Sequence, residues 1–115
     1  MSLVAFIPAR AGSKGIPRKN MVDLGGKPLI YYTLTAAQSS KHVNYILVSS
    51  DSDEIMTYAK EMEIPTDYKR PASLAKDDTS MIETVNHGLE WLENNNMCFD
   101  HLAILQPTSP FRTYE

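Results

Sequence analysis

The sequence predicts an α/β fold, a parallel sheet with helices on both faces, and three observations predict it. Short apolar runs alternate with longer amphipathic segments in the order β-α-β-α-β-α-β. The first two runs are apolar throughout rather than at every other position, the pattern of strands covered on both sides. The loops after the first, second and fourth runs are unusual in composition. In a parallel sheet all three open at the carboxyl edge, where ligands bind.

Each element follows from local chemistry. Leu3-Val4-Ala5-Phe6-Ile7 is the first strand, closed by Pro8. Residues 9–20, ARAGSKGIPRKN, form a loop. After Gly25-Gly26, Pro28 suits the first position of a helix that reaches about Ser40. Tyr45-Ile46-Leu47-Val48 is the second strand, and Ser49-Ser50-Asp51-Ser52-Asp53 offers caps for a helix from about Asp53 to Met62. Residues 64–68 read as a short third strand, weakened by Pro65. Asp77-Asp78-Thr79-Ser80 caps a long helix in which Ile82, Val85, Leu89 and Leu92 recur at helical spacing. Leu102-Ala103-Ile104-Leu105 is the fourth strand, followed by Gln106-Pro107-Thr108-Ser109-Pro110. No internal repeat or low-complexity segment interrupts the order.

Composition narrows the function classes. At 115 residues the chain fits one domain, able to bury roughly two-thirds of its unfolded surface. A single cysteine, Cys98, excludes an intramolecular disulfide framework and a Cys-rich zinc site, and fits a reducing cytoplasm. No apolar run approaches the ~20 residues of a membrane span. Eleven Lys and Arg against fourteen Asp and Glu leave a net charge of −3, which argues against a general nucleic-acid binder. The charge is unevenly spread. Residues 10–20 carry Arg10, Lys14, Arg18 and Lys19 and no acid, leaving seven cations against fourteen acids elsewhere. A basic island in an acidic chain marks a local anion site or a solvated basic loop.

The composition of that loop favours the anion site. Gly12 and Gly15 let backbone N–H groups turn toward a phosphate with no side chain between. Ser13 offers a hydroxyl, Lys14 and Lys19 mobile charge, and Arg10 a bidentate grip on phosphate oxygens. A triphosphate needs such cations before a nucleophile can approach phosphorus. The string matches neither the Walker A loop nor G-x-G-x-x-G.

Three stretches together identify a family resemblance. IPARAGSKGIPRKN at 7–20, Arg70-Pro71 with LAKDDTS at 74–80, and LQPTSPFR at 105–112 resemble the N-acylneuraminate cytidylyltransferases and their relatives for legionaminic and pseudaminic acids. The resemblance runs along the whole chain, and its first and last motifs are the most specific. It implies a Rossmann-like parallel sheet of the nucleotide-diphospho-sugar transferase type, using CTP and Mg²⁺. The implied reaction is attack by the anomeric hydroxyl of a nonulosonic acid sugar on the α-phosphorus of CTP, expelling pyrophosphate.

Carried onto this sequence, the resemblance has Arg10, Gly12, Ser13, Lys14 and Lys19 hold the triphosphate, with Asn20 close to the nucleotide sugar. Arg70 and the Thr79-Ser80 segment border the cytosine pocket, and Gln106 positions the acceptor sugar. Arg10, Lys14 and Gln106 form the implied catalytic set. Met81 stands where some relatives carry another hydroxyl. Simpler readings compete at several places. Arg70 before Pro71 also suits a loop-fixing role, and Thr79 and Ser80 suit helix capping. Asp51 and Asp53 read as capping residues rather than metal ligands. His42, His87 and His101 show no paired spacing and read as structural.

The resemblance also bears on length. The family is expected to continue for about as long again, with further strands, an arm that swaps across a homodimer and the carboxylates that hold Mg²⁺, all beyond Glu115. Residues 1–115 are therefore expected to be the N-terminal part of a single cytidylyltransferase domain, cut after the fourth strand and inactive alone. Two other readings remain at this stage: a non-catalytic CTP- or phosphate-binding fragment, and a cytidylyltransferase for Kdo, whose first loop is similar but which typically lacks the LQPTSP stretch.

Overall fold

The computed structural model of the protein describes residues 2–9, 23–75 and 79–106. Strand β1 (Leu3–Pro8) is the centre of a three-stranded parallel sheet, flanked by β4 (Tyr45–Ser49) and β5 (His101–Ile104). Val4 pairs with Tyr45 on one side and with Leu102 on the other. As expected of a strand covered on both faces, Val4, Ala5, Phe6 and Ile7 are all fully buried.

The two faces have separate cores. On one, Ala5, Ile7 and Val48 meet Ile30, Leu34 and Ala37 of α1 (Leu29–Ser39) and Ile55, Met56 and Ala59 of α2 (Asp53–Glu61). On the other, Val4, Phe6 and Leu47 meet Leu92 of α3 (Met81–Asn94), with Val85 and Trp91 packed alongside. The expected α/β architecture with helices on both faces is the observed one.

Three details differ from expectation. Residues 23–28 form a hairpin, β2 (Asp23–Leu24) with β3 (Lys27–Pro28), turned by Gly25 and Gly26 at φ +68° and +93°. Two positive φ angles are what the I′ hairpin turn demands, and glycine supplies them without strain. Pro28 consequently ends this hairpin and sits just before α1 rather than inside it.

The second correction concerns 64–68, which is not a strand. Helix α2 ends in a Schellman motif: Glu63 N–H donates to Lys60 O at 2.9 Å and Ile64 N–H to Ala59 O at 3.0 Å, with Glu63 at φ +64°. From there the chain crosses from one face of the sheet to the other. Ile64 is buried in the α1/α2 core and Tyr68 in the α3 core. Both apolar anchors were legible, but they serve opposite faces, and Pro65 has no N–H for a ladder. The apolar run at 102–105 is therefore the third strand of the sheet, not the fourth.

The third is the face of α3. Its contact line runs through Thr84, Gly88 and Leu92, all buried, while Ile82 is 72% and Leu89 40% exposed. Gly88 sets this line. A Cβ there would lie 2.7 Å from Phe6 Cε2 and 3.0 Å from Leu47 Cδ2, so the helix approaches the sheet at a place only glycine permits. Centring the contact on Gly88 swings Ile82 and Leu89 to the side.

Candidate functional site

The strand order makes β1 the switch point of the sheet. The chain leaves β1 for β4 on one side and returns through α3 to β5 on the other, so connections diverge at the carboxyl end of β1. A crevice at such a point is where open α/β sheets bind ligands. Ala9, the last described residue before the basic loop, stands there and is buried. Arg10, Gly12, Ser13, Lys14, Lys19 and Asn20 lie outside the described residues, as do Asp77 and Asp78.

The edges of this crevice are tied together through Ser49. Its carbonyl accepts from Ala9 N–H at 2.9 Å, closing the last rung between β1 and β4, and also from Arg70 Nη2 at 2.9 Å. Arg70 Nε donates to Ser49 Oγ at 2.9 Å, Arg70 Nη1 to Leu74 O at 3.4 Å, and Arg70 N–H to Ser50 O at 2.9 Å. A guanidinium only 5% exposed, with hydrogen-bond acceptors around it, satisfies the rule that buried charge is hydrogen-bonded. Arg70 thus fixes its own loop, as the local reading has it, and does so beneath the root of the basic loop.

Tyr68 continues this arrangement toward α3. Its hydroxyl lies 2.7 Å from His87 Nδ1 and its ring 5.4 Å from that of Trp91. Burial pushes the Tyr68 phenol up, and the Ser49 hydrogen bond and Arg70 charge oppose that without cancelling it. Neither Tyr68, Ser49 nor His87 stood out in sequence as a site residue. The available signal was the Ser49-Ser50 pair after an apolar strand, both now fully buried.

The remaining expected residues divide. Ser80 is the N-cap of α3: its Oγ accepts from Glu83 N–H at 3.1 Å. Thr79 before it is half-buried. Gln106 is exposed just past β5, where Leu105 N–H donates to Phe6 O at 2.9 Å. Ser52, rather than Asp51 or Asp53, caps α2, accepting from Ile55 N–H at 3.2 Å. Asp53 instead pairs with Lys69 at 2.5 Å on the surface. Among the described residues no group of three or more His, Cys, Asp or Glu could hold a metal ion. No helix among them is long and apolar enough to cross a membrane.

Comparison with known proteins bears on the family and the fold. Residues 4–106 match the model of a family described as cytidylyltransferase. The chain is 43% identical over its full 115 residues to a CMP-N,N'-diacetyllegionaminic acid synthase of Legionella pneumophila, covering 50% of that protein. It is 38% identical over 110 residues to a pseudaminic acid cytidylyltransferase of Campylobacter jejuni, 96% of this chain and 47% of that protein. An N-acylneuraminate cytidylyltransferase of Escherichia coli is 39% identical over 111 residues, 96% of this chain and 25% of that protein. The chain therefore spans about half the length, or less, of the curated relatives it matches. Among solved structures, a CMP:2-keto-3-deoxy-manno-octonic acid synthetase complexed with CTP shares the fold, with a TM-score of 0.74 at 22% identity over 97% of this chain and 42% of that chain.

Proposed function

The chain belongs to the cytidylyltransferase family, and from that membership we propose that the protein transfers CMP from CTP to a nonulosonic acid sugar, releasing pyrophosphate. The observation that carries the reading is the kinship along the whole chain to synthases whose named sugars are legionaminic, pseudaminic and N-acylneuraminic acids. The convergence of Ala9, Ser49 and Arg70 at the switch point supports it.

In this reading the loop at 10–20 receives the triphosphate. Arg10, Lys14 and Lys19 neutralise its oxygens, Gly12 and Ser13 supply backbone and hydroxyl donors, and Asn20 meets the nucleotide sugar. Arg70 and the Thr79-Ser80 segment border the cytosine, and Gln106 orients the acceptor. The anomeric hydroxyl of the sugar then loses its proton to solvent as its oxygen bonds to the α-phosphorus, the bond from that phosphorus to the oxygen bridging to the β-phosphate breaks, and pyrophosphate departs with that electron pair. Mg²⁺, with carboxylate ligands outside residues 1–115, belongs to the proposal. So do a homodimeric assembly and a cytoplasmic location, in keeping with the single cysteine.

The test is pyrophosphate release by the full-length protein with CTP and each of N-acetylneuraminic, legionaminic and pseudaminic acids, with Kdo for comparison. Formation of a CMP-sugar with a nine-carbon acid is expected. Turnover with Kdo alone, or with none, overturns the reading. Lys14→Ala is expected to weaken CTP binding about tenfold or more, the effect of removing one cation from a phosphate site.

A further inference from the structure

Arg70 holds two walls of the crevice through contacts to which the proposed reaction assigns no role. Two neighbouring N–H groups on one edge of its guanidinium grip a single residue: Nε donates to Ser49 Oγ and Nη2 to Ser49 O, both at 2.9 Å. On the other side Nη1 donates to Leu74 O at 3.4 Å, in the 3-10 turn Ala72–Leu74. The Arg70 amide donates to Ser50 O at 2.9 Å, so main chain and side chain alike fix this residue to the end of β4.

The Ser49 carbonyl carries this hold across to β1. A carbonyl oxygen has two lone pairs, and here one N–H comes from Ala9 and the other from Arg70, each at 2.9 Å. With both acceptor positions taken, the carbonyl and the last rung between β1 and β4 have one orientation. The residue after Ala9 is Arg10, the first of the basic loop. Arg70 therefore bears on where that loop starts and, through Leu74, on the segment that leads to Thr79 and Ser80. Ser49 is 0% and Arg70 5% exposed. A side chain so enclosed, with each of its three guanidinium nitrogens donating to a protein oxygen, faces the protein rather than a base.

We propose that Arg70 and Ser49 are positioning residues for the phosphates of the nucleotide: together they fix the exit of the chain from β1, and with it the basic loop, without contact with the base. The proposal rests on the reading of the crevice as a CTP site. The other role open to Arg70 is direct contact with the cytosine, and the two roles separate by ligand. A base contact acts on nucleotides alone. A strut under the loop acts on any ligand that carries the phosphates, because a site binds well only when its donors are already in place.

The experiment is calorimetric titration of the full-length protein with CTP and with inorganic tripolyphosphate, which has the phosphates and no base, for wild type, Ser49→Ala, Arg70→Ala and Arg70→Lys. Thermal melts establish that each variant is folded at the titration temperature. Wild type is expected to bind both ligands. Arg70→Ala is expected to weaken both by the same factor, about tenfold, the loss of a hydrogen-bonded charged group. Arg70→Lys keeps the charge but not the fork that grips Ser49, and is expected to lose about as much. Ser49→Ala removes the Oγ acceptor and keeps the carbonyl, and about threefold weakening of both ligands is expected. This small change carries the test even if the Arg70 variants fail to fold. Weakening of CTP alone in any folded variant, recovery in Arg70→Lys, or unchanged affinity for both ligands in Ser49→Ala overturns the positioning role and leaves the CTP site standing. Wild type that binds CTP but not tripolyphosphate overturns it as well, since a loop held by the protein receives phosphates without a base. Absence of CTP binding by the wild-type protein overturns the site assignment on which the role depends.

Discussion

Replacing Gly88 by alanine sets two effects of known size against each other. In a helix interior alanine is favoured over glycine by about 1 kcal/mol. Against this, the new methyl would stand 2.7 Å from Phe6 Cε2 and 3.0 Å from Leu47 Cδ2, where ordinary carbon contacts lie at about 3.5–4.0 Å. One of the partners must retreat by roughly 1 Å. Phe6 is 0% exposed on the central strand and Leu47 2% on its neighbour, so neither has free volume behind it. Overpacking of this kind costs about 1–3 kcal/mol, and contact with a rigid aromatic ring places it in the upper part of that range. The net expectation is destabilisation by about 1–2 kcal/mol, read as a lower urea midpoint at unchanged slope. Phe6→Leu, which removes ring atoms from the contact, is expected to relieve part of the cost, so the double variant is more stable than the sum of singles predicts. A Gly88→Ala protein as stable as wild type or more so would refute the close-approach argument.

Other perturbations follow from the same contacts. Glu63→Gly is expected to stabilise by up to about 1 kcal/mol, because glycine accepts the left-handed conformation that ends α2 without a Cβ penalty; urea denaturation checks it. Ser52→Ala and Ser80→Ala are each expected to cost about 1 kcal/mol through loss of an N-cap acceptor, measured the same way. The Tyr68 phenol is raised above its usual value on folding, chiefly by burial. A raised pKa contributes stability that is present below the unfolded value near 10 and is lost as pH climbs through the folded value. Stability is therefore expected to fall above about pH 10 less steeply in Tyr68→Phe than in wild type, and parallel alkaline limbs would count against it.

The fold was legible because the strands are covered on both faces. Continuous apolar runs such as Val4-Ala5-Phe6-Ile7 have few other homes, and the polar stretches at 49–53 and 77–80 mark the helix starts, although Ser52 and not Asp51 or Asp53 is the cap of α2. What misled was apolar periodicity without a partner. Ile64 and Tyr68 are both buried, as a strand there would require, yet on opposite sides of the sheet. Ile82 and Leu89 kept helical spacing while the contact line moved to Gly88, because close approach depends on a missing side chain that apolar counting passes over. Gly25-Gly26 is a plain turn signal in the sequence, and the hairpin it makes stands just ahead of the helix that Pro28 announces. At the site, the family strings pointed to Arg70, but its partners could not be read from spacing. Tertiary packing brings Ser49 to Arg70, and separately His87 to Tyr68.

Strand ends ordinarily fray, and their amides exchange with solvent deuterium long before those at the centre of a sheet. The Ala9 amide is placed to depart from that pattern. Its acceptor, the Ser49 carbonyl, is also held by the Arg70 guanidinium, so opening that rung disturbs a buried cation as well as a backbone pair. Deuterium uptake at Ala9 is expected to track the opening of the sheet as a whole and to quicken selectively in Arg70→Ala. The point where the chain enters the basic loop would then be as firmly seated as the interior of the strand before it.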